Sequence, residues 1–458
     1  MYKNDMDTVV KTAERKIPME GWKRESIAKS LPEVFSSIHV PLSAGFWKKL
    51  FAFAGPGLMV AVGYMDPGNW ATDIAGGAKF GYTLLTVILI ANIFAMLLQH
   101  LSLKLGVVTE RDLAQACRDH YSKPAAIMLW VLCETAIAAC DLAEVIGSAI
   151  ALNLLFGIPL VIGVFITAID VLIILFFQYK GFRYIESLVA GLITLIFFCF
   201  AYEMFASKPE IISLLGGFIP TSQIIRNPGM LYIAIGILGA TVMPHNLYLH
   251  SSIVQTRNYE RNDEGKKIAI KFATIDSSAA LILAFLINAA ILIVAAASFH
   301  SSGYGDVADI TDAYKLLTPV LGAGFASFLF AIALLASGQN STITGTLAGQ
   351  IVMEGFLNIS LKPWLRRLIT RLIAIAPAFI VTLLYGEKGT TSLLILSQVI
   401  LSVQLSFAVV PLVLFTSNKK KMGKFVNKPW LKFSAWGIGI IIMGLNAYLL
   451  FQTISELL

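Results

Sequence analysis

The chain has 458 residues, of which 57% are hydrophobic and 14% charged, with a formal net charge of +7. A soluble domain carries nearer ~25% charged residues, so the composition excludes a water-soluble globular protein and predicts an all-α protein of the membrane.

Residues 1–48 read as a polar tail; the first 50 residues carry nine Lys/Arg and no early apolar stretch, so no cleavable signal peptide is expected. A short interfacial helix is expected around Trp22–Val34. Eleven spans follow, at about 52–76, 82–105, 125–152, 158–178, 184–205, 229–252, 272–299, 317–350, 366–385, 391–415 and 433–455. Crossing ~30 Å of hydrocarbon takes ~20 helical residues, and the runs lack the apolar/polar alternation of barrel strands. With the N-terminus in the cytoplasm, 30 of the 35 Lys/Arg fall on the inward side and five on the outward side. That asymmetry orients the chain in the plasma membrane, with its C-terminus outside. It also accounts for the basic balance without any nucleic acid. The four cysteines lie in or beside apolar segments and read as small buried hydrophobes.

Two spans interrupt their own helix. Span 1 meets Asp66-Pro67-Gly68-Asn69 and span 6 meets Met243-Pro244-His245-Asn246. Proline removes an amide donor and clashes with the preceding turn, and unwound backbone survives in hydrocarbon only inside protein or along a cavity. The breaks share an X-Pro-X-Asn pattern five spans apart, so the two helices cross in opposite senses. That arrangement predicts a secondary transporter of 5+5 inverted repeats, about 49–206 and 227–416, in one membrane domain covering 49–458. Its substrate site lies between spans 1 and 6, and the helix at 433–455 is an addition.

The breaks supply a carboxylate (Asp66), an amide oxygen (Asn69), a thioether (Met243) and freed carbonyls, expected at Gly63 and Ala240. Hard cations demand oxygen, whereas sulfur favours softer transition metals. A second polar line runs along span 3, where Glu134, Asp141 and Glu144 fall within a sector of about 80° on one helix face. Acids on one face of an apolar helix line a water-filled path or pair with cations. The expected partners are His245 and the arginines Arg366, Arg367 and Arg371 at the inward end of span 9, together a candidate proton pathway. Gln398 in span 10 is a possible site neighbour, while Asp170 and Asp276 are expected to be structural.

At Asp66–Asn69 and Met243–Asn246 the chain resembles the Nramp family of natural-resistance-associated macrophage proteins and divalent metal transporters. The stretch Gly338-Gln-Asn-Ser-Thr-Ile-Thr-Gly-Thr-Leu-Ala-Gly-Gln-Ile-Val-Met-Glu-Gly355 is similar to that family's transport signature. The resemblance implies a leucine-transporter-like fold and proton-coupled import of Mn2+ and Fe2+, with Cd2+, Co2+ and Zn2+ as further substrates. It implies that Asp66, Asn69, Met243 and the Ala240 carbonyl bind the metal, and that His245, Glu144, Asp141 and a span-9 arginine serve proton movement. No permanent cofactor and no obligate protein partner are expected.

Other classes fit less well. An intramembrane metalloprotease needs a His-Glu-x-x-His helix, and His245 and His250 are five apart. The chain is therefore not expected to be an enzyme, and because no Gly-x-x-x-x-Gly-Lys-[Ser/Thr] loop is present, transport is expected to draw on ion gradients. The alternative is an amino-acid or other small-solute carrier on the same fold.

Overall fold

The computed structural model describes residues 20–24, 31, 34, 35, 37–40, 43–167, 182–304, 310–322, 324–358 and 363–457, with side chains given for only part of 363–388 and none of 452–457. The helices follow the apolar runs of the sequence and stop where proline and glycine interrupt them. In chain order they are α1 (Phe46–Phe53), α2 (Pro56–Val62), α3 (Pro67–Phe80), α4 (Leu85–Thr109), α5 (Leu113–His120), α6 (Lys123–Phe156), α7 (Leu160–Ile166) and α8 (Phe182–Ser207). After two short turns come α9 (Pro228–Thr241), α10 (Pro244–Ile253), α11 (Asp263–Ala295), α12 (Ile310–Leu321), α13 (Ala326–Leu357), α14 (Pro363–Thr416) and α15 (Pro429–Leu457). Among the described residues, eight helical stretches are long and apolar enough to cross a membrane, and Pro56–Met65 is a shorter apolar one.

Both expected interruptions are present, and their cause is local. Asp66 and Met243 precede prolines and hold extended backbone, at φ −72°, ψ 167° and φ −66°, ψ 125°. The proline ring disfavours helical geometry in the residue before it. Each proline then opens a new helix, α3 or α10, at a position where its missing amide costs nothing. Before the first break the chain tightens into a 3-10 turn at Gly63–Met65.

Three expectations change. Span 1 is in three pieces, because Gly55 adopts φ 134° and separates α1 from α2. Span 8 starts at Ala326 rather than near 317, with α12 as a separate helix before it. Spans 9 and 10 form one unbroken helical run, Pro363–Thr416, without the expected turn near residues 386–390. Isolated glycines such as Gly386 and Gly389 cost a helix only ~1 kcal/mol each and no proline accompanies them. Of span 4, only α7 lies within the described residues; Asp170 lies outside them.

Lipid offers no hydrophobic drive for helix pairing, so close backbone approach does that work. Gly77 brings α3 against Leu292 and Ala295 of α11, Gly106 sets α4 on the Ser251 carbonyl of α10, and Gly239 sets α9 on the Gln398 carbonyl of α14. α3 and α9 also pack directly on each other, with Gly236 of α9 facing Thr72 of α3. α6 and α13 form another extensive helix pair, and α6 also packs along α14. On the face that carries the N-terminal segment, Ile38–His39 pairs in parallel with Arg257–Asn258, and the Trp22 ring lies under the Lys421 ammonium at 3.4 Å.

Candidate metal centre

The two breaks meet. Asn69 donates from Nδ2 to Asp66 Oδ1 at 2.7 Å, to the Ala240 carbonyl at 3.2 Å and to the Gly63 carbonyl at 3.3 Å. Three oxygens from two different broken helices therefore converge on one point, and the positive end of an amide stands there. For Asn69 to act as a ligand, its carboxamide must turn so that Oδ1 takes the place of Nδ2. Met243, fully buried, brings its sulfur against Gly63. A Cβ at Gly63 would collide with the Asn246 amide, so only glycine lets the second break approach this closely.

The freed backbone is accounted for. Asn246 reaches back to the Val60 carbonyl at 3.4 Å, as Asn69 reaches to Ala240, so each motif's asparagine serves the opposite break. Asn288 of α11 donates to the Tyr64 carbonyl at 2.6 Å, and Ser337 and Trp70 donate to that of Met65. Asp66 also caps α3, accepting the Asn69 backbone amide at 2.8 Å. Such partners are what an unwound stretch needs in a bilayer.

The remaining candidates divide. Gln398 is fully buried with its amide pressed on Gly68, beside the Asp66 break, and its Oε1 has no protein partner among the described residues. Glu144 and Asp141 are buried on α6, whereas Glu134 is partly exposed and accepts from the Trp130 indole at 3.1 Å. His245 is buried, and its Nδ1 lacks a protein partner among the described residues. The side chains of Arg366, Arg367 and Arg371 lie outside the described residues. Among the described residues no three His, Cys, Asp or Glu gather as a metal cluster; the donors at the breaks are mixed in type instead.

Sequence reasoning missed two features. Cys140 is not an inert hydrophobe: its Sγ lies 3.9 Å from Asp66 Oδ2 and 3.6 Å from Glu144 Oε1, joining the first break to the acids of α6. Its signal was the helical phase, since Cys140 sits four residues before Glu144. The second feature is a closure at the start of α2. Arg257 donates to the Ala54 carbonyl at 2.9 Å and to Glu186 at 2.7 Å, while Arg183 donates to the same carbonyl at 2.8 Å and to Glu186 at 2.9 Å. Asp276 accepts from the Gly57 and Gly55 amides at 2.7 and 3.4 Å, capping α2. A Cβ at Gly55 would run into the Glu186 carboxylate. Arg257 and Glu186 are both buried, and removing one partner of such a pair typically costs ~3–5 kcal/mol. Arg257→Ala is therefore expected to lower the thermal midpoint in detergent clearly, whereas Lys432→Ala, at an exposed site, leaves it in place.

With this geometry established, the family model described as natural resistance-associated macrophage protein-like matches residues 57–452. The chain belongs to the Nramp family. It is 64% identical over 438 residues to the divalent metal cation transporter MntH of Listeria innocua, covering 96% of this chain and 98% of that one. A crystal structure of the Eremococcus coleocola manganese transporter, bound to an aromatic bis-isothiourea compound, matches with 43% identity and a TM-score of 0.85, over 92% of this chain and 90% of that one. MHP1, a nucleobase-cation-symport-1 family transporter, shares the fold at 15% identity and a TM-score of 0.58, over 88% of this chain and 93% of its own. The Nramp chain thus has the leucine-transporter-like fold and is a multi-pass membrane protein of a transporter family, not an enzyme.

Proposed function

We propose that this Nramp chain imports divalent transition metals, Mn2+ and Fe2+ foremost and Cd2+, Co2+ and Zn2+ with them, by alternating access coupled to protons. The observation that carries the reading is the convergence of Asp66, Gly63 and Ala240 oxygens on one point beside the Met243 sulfur. The cation takes the place now held by the Asn69 amide, bound by Asp66, Asn69, Met243 and the two carbonyls, with Gln398 as a neighbour. One anionic donor suits a cation and repels the carboxylate of an amino acid, which disfavours the small-solute alternative. The names of the relatives support the same substrate class.

The orientation follows the basic residues, with the N-terminus in the cytoplasm and the chain in the plasma membrane. The closure at Arg257, Glu186 and Ala54 then blocks the inward side. The repeats comprise the helices before and after residue 227, with α15 outside them. Import follows the membrane potential, worth about 4.6 kcal/mol per 100 mV for two charges. Protons use Glu144, Asp141 and Glu134 with His245 and a span-9 arginine.

The test is Mn2+ uptake into proteoliposomes with internal pH recorded. Wild type should acidify the lumen as Mn2+ enters, and Glu144→Gln should keep metal uptake while weakening the proton signal severalfold. Mn2+ uptake without any pH change in wild type would remove proton coupling, and amino-acid competition would favour the alternative.

A further inference from the structure

Where α6 meets the two breaks its residues are small. Ala136 and Ala139 pack in one buried cluster with Met243 and Leu401, and Gly147 faces the Pro67 ring. Small side chains let helices approach closely, but these carry no donor atom. Cys140 belongs to the same cluster, is buried, and does carry one. Serine or alanine would serve the packing at that position equally. Only cysteine brings sulfur.

The thiol stands at one edge of the centre. Asp66 gives Oδ1 to Asn69, where the Gly63 and Ala240 carbonyls also converge, while its Oδ2 lies 3.9 Å from Cys140 Sγ. Two donors on one tetrahedral cation, sulfur at about 2.3 Å and oxygen at about 2.1 Å, lie about 3.6 Å apart. A larger cation spreads them further, so the observed separation fits such a pair. Cys140 is also not an isolated thiol. Met243 of the same cluster supplies another sulfur, and Gln398, fully buried at the Asp66 break, has an Oε1 without a protein partner among the described residues. Mn2+ accepts oxygen donors, whereas thiolate selects softer cations. A cation held through Oδ1 is served by the converging oxygens and Met243. One large enough to take both carboxylate oxygens reaches Cys140.

We propose that Cys140 is a specificity-determining donor of the metal centre, a second sulfur that ligates thiophilic dications such as Cd2+ and leaves Mn2+ to the other donors. The sulfur ligates as thiolate, and the thiol proton passes to the Glu144 carboxylate, whose Oε1 is 3.6 Å away. The inference rests on the metal-import reading above.

The experiment uses the full chain in proteoliposomes, with Mn2+ and Cd2+ uptake each measured against external concentration. Cys140→Ser exchanges sulfur for oxygen at little change in volume. It should raise the half-saturating Cd2+ concentration about tenfold or more and leave that for Mn2+ within about twofold. Cys199→Ser, on α8, should change neither. A direct reading comes from the solubilised chain titrated with Cd2+, which should develop a thiolate-to-metal absorption band that Cys140→Ser lacks. The band should persist when Cys117, Cys133 and Cys199 are all replaced by serine. Its absence from that triple variant, folded as judged by Mn2+ uptake, overturns the proposal whether or not Cys140→Ser folds. An unchanged Cd2+ curve in Cys140→Ser also overturns it. So does a parallel rise for both cations, which would make the thiol a prop for Asp66. Wild-type vesicles that admit neither metal remove the import reading, and the band then decides on the site alone.

Discussion

Asp66→Ala proteoliposomes should take up Mn2+ no faster than empty liposomes, a loss of about a hundredfold or more. Removing a dication from water into a low-dielectric interior costs tens of kcal/mol, and Asp66 is the one anionic group among the candidate donors. Asn69, Gly63, Ala240 and Met243 offer dipoles and a soft lone pair, which orient a cation but do not neutralise it. Asp66 has a second duty, accepting the Asn69 amide at 2.8 Å as the cap of α3, and losing a cap costs ~1 kcal/mol. Asp66→Asn separates the two duties, since an asparagine still caps the helix but carries no charge. It should match wild type in thermal midpoint and match Asp66→Ala in uptake. Near-normal Mn2+ transport by Asp66→Asn would remove the carboxylate from the centre of the reading.

What the sequence made legible was whatever depends on one segment at a time. A proline after Asp66 and another after Met243 dictate a break wherever the rest of the chain lies, and an odd number of spans between them dictates opposite directions. The convergence of the two breaks was inferable from their matching places in two opposed halves, and each motif's asparagine finds a carbonyl in the other break. What stayed hidden depends on segments meeting at angles that no single helix encodes. Glu186 and Arg257 are 71 residues apart, and either alone reads as a charge at a span end. Cys140 reads as a small hydrophobe until the rotation of α6 turns its thiol toward Asp66 rather than lipid. The boundary between spans 9 and 10 failed for the opposite reason. Gly386 and Gly389 look like a turn, but glycine permits a turn without requiring one, and the helix runs through them.

Met243→Leu should admit Ca2+ and Mg2+ to a site that otherwise takes transition metals, while keeping part of its Mn2+ uptake. Leucine matches methionine closely in volume, and swaps of this kind usually cost under ~1.5 kcal/mol. Alanine at a fully buried position would cost ~2–5 kcal/mol and leave a cavity, confusing selectivity with damage. With the thioether gone, the remaining donors at the breaks are oxygens, the set that alkaline-earth cations prefer, and those cations far outnumber transition metals in most surroundings. Competition of Ca2+ against Mn2+ is the measurement, in wild type and in Met243→Leu. Mn2+ itself is tolerant of oxygen ligands, so its uptake should drop less than its selectivity. The thermal midpoint should stay near that of wild type, which assigns the change to sulfur chemistry rather than to packing. If Ca2+ remains excluded from Met243→Leu, discrimination must reside in the size and rigidity of the oxygen cage, and the second break would then matter for its Ala240 carbonyl and not for its side chain.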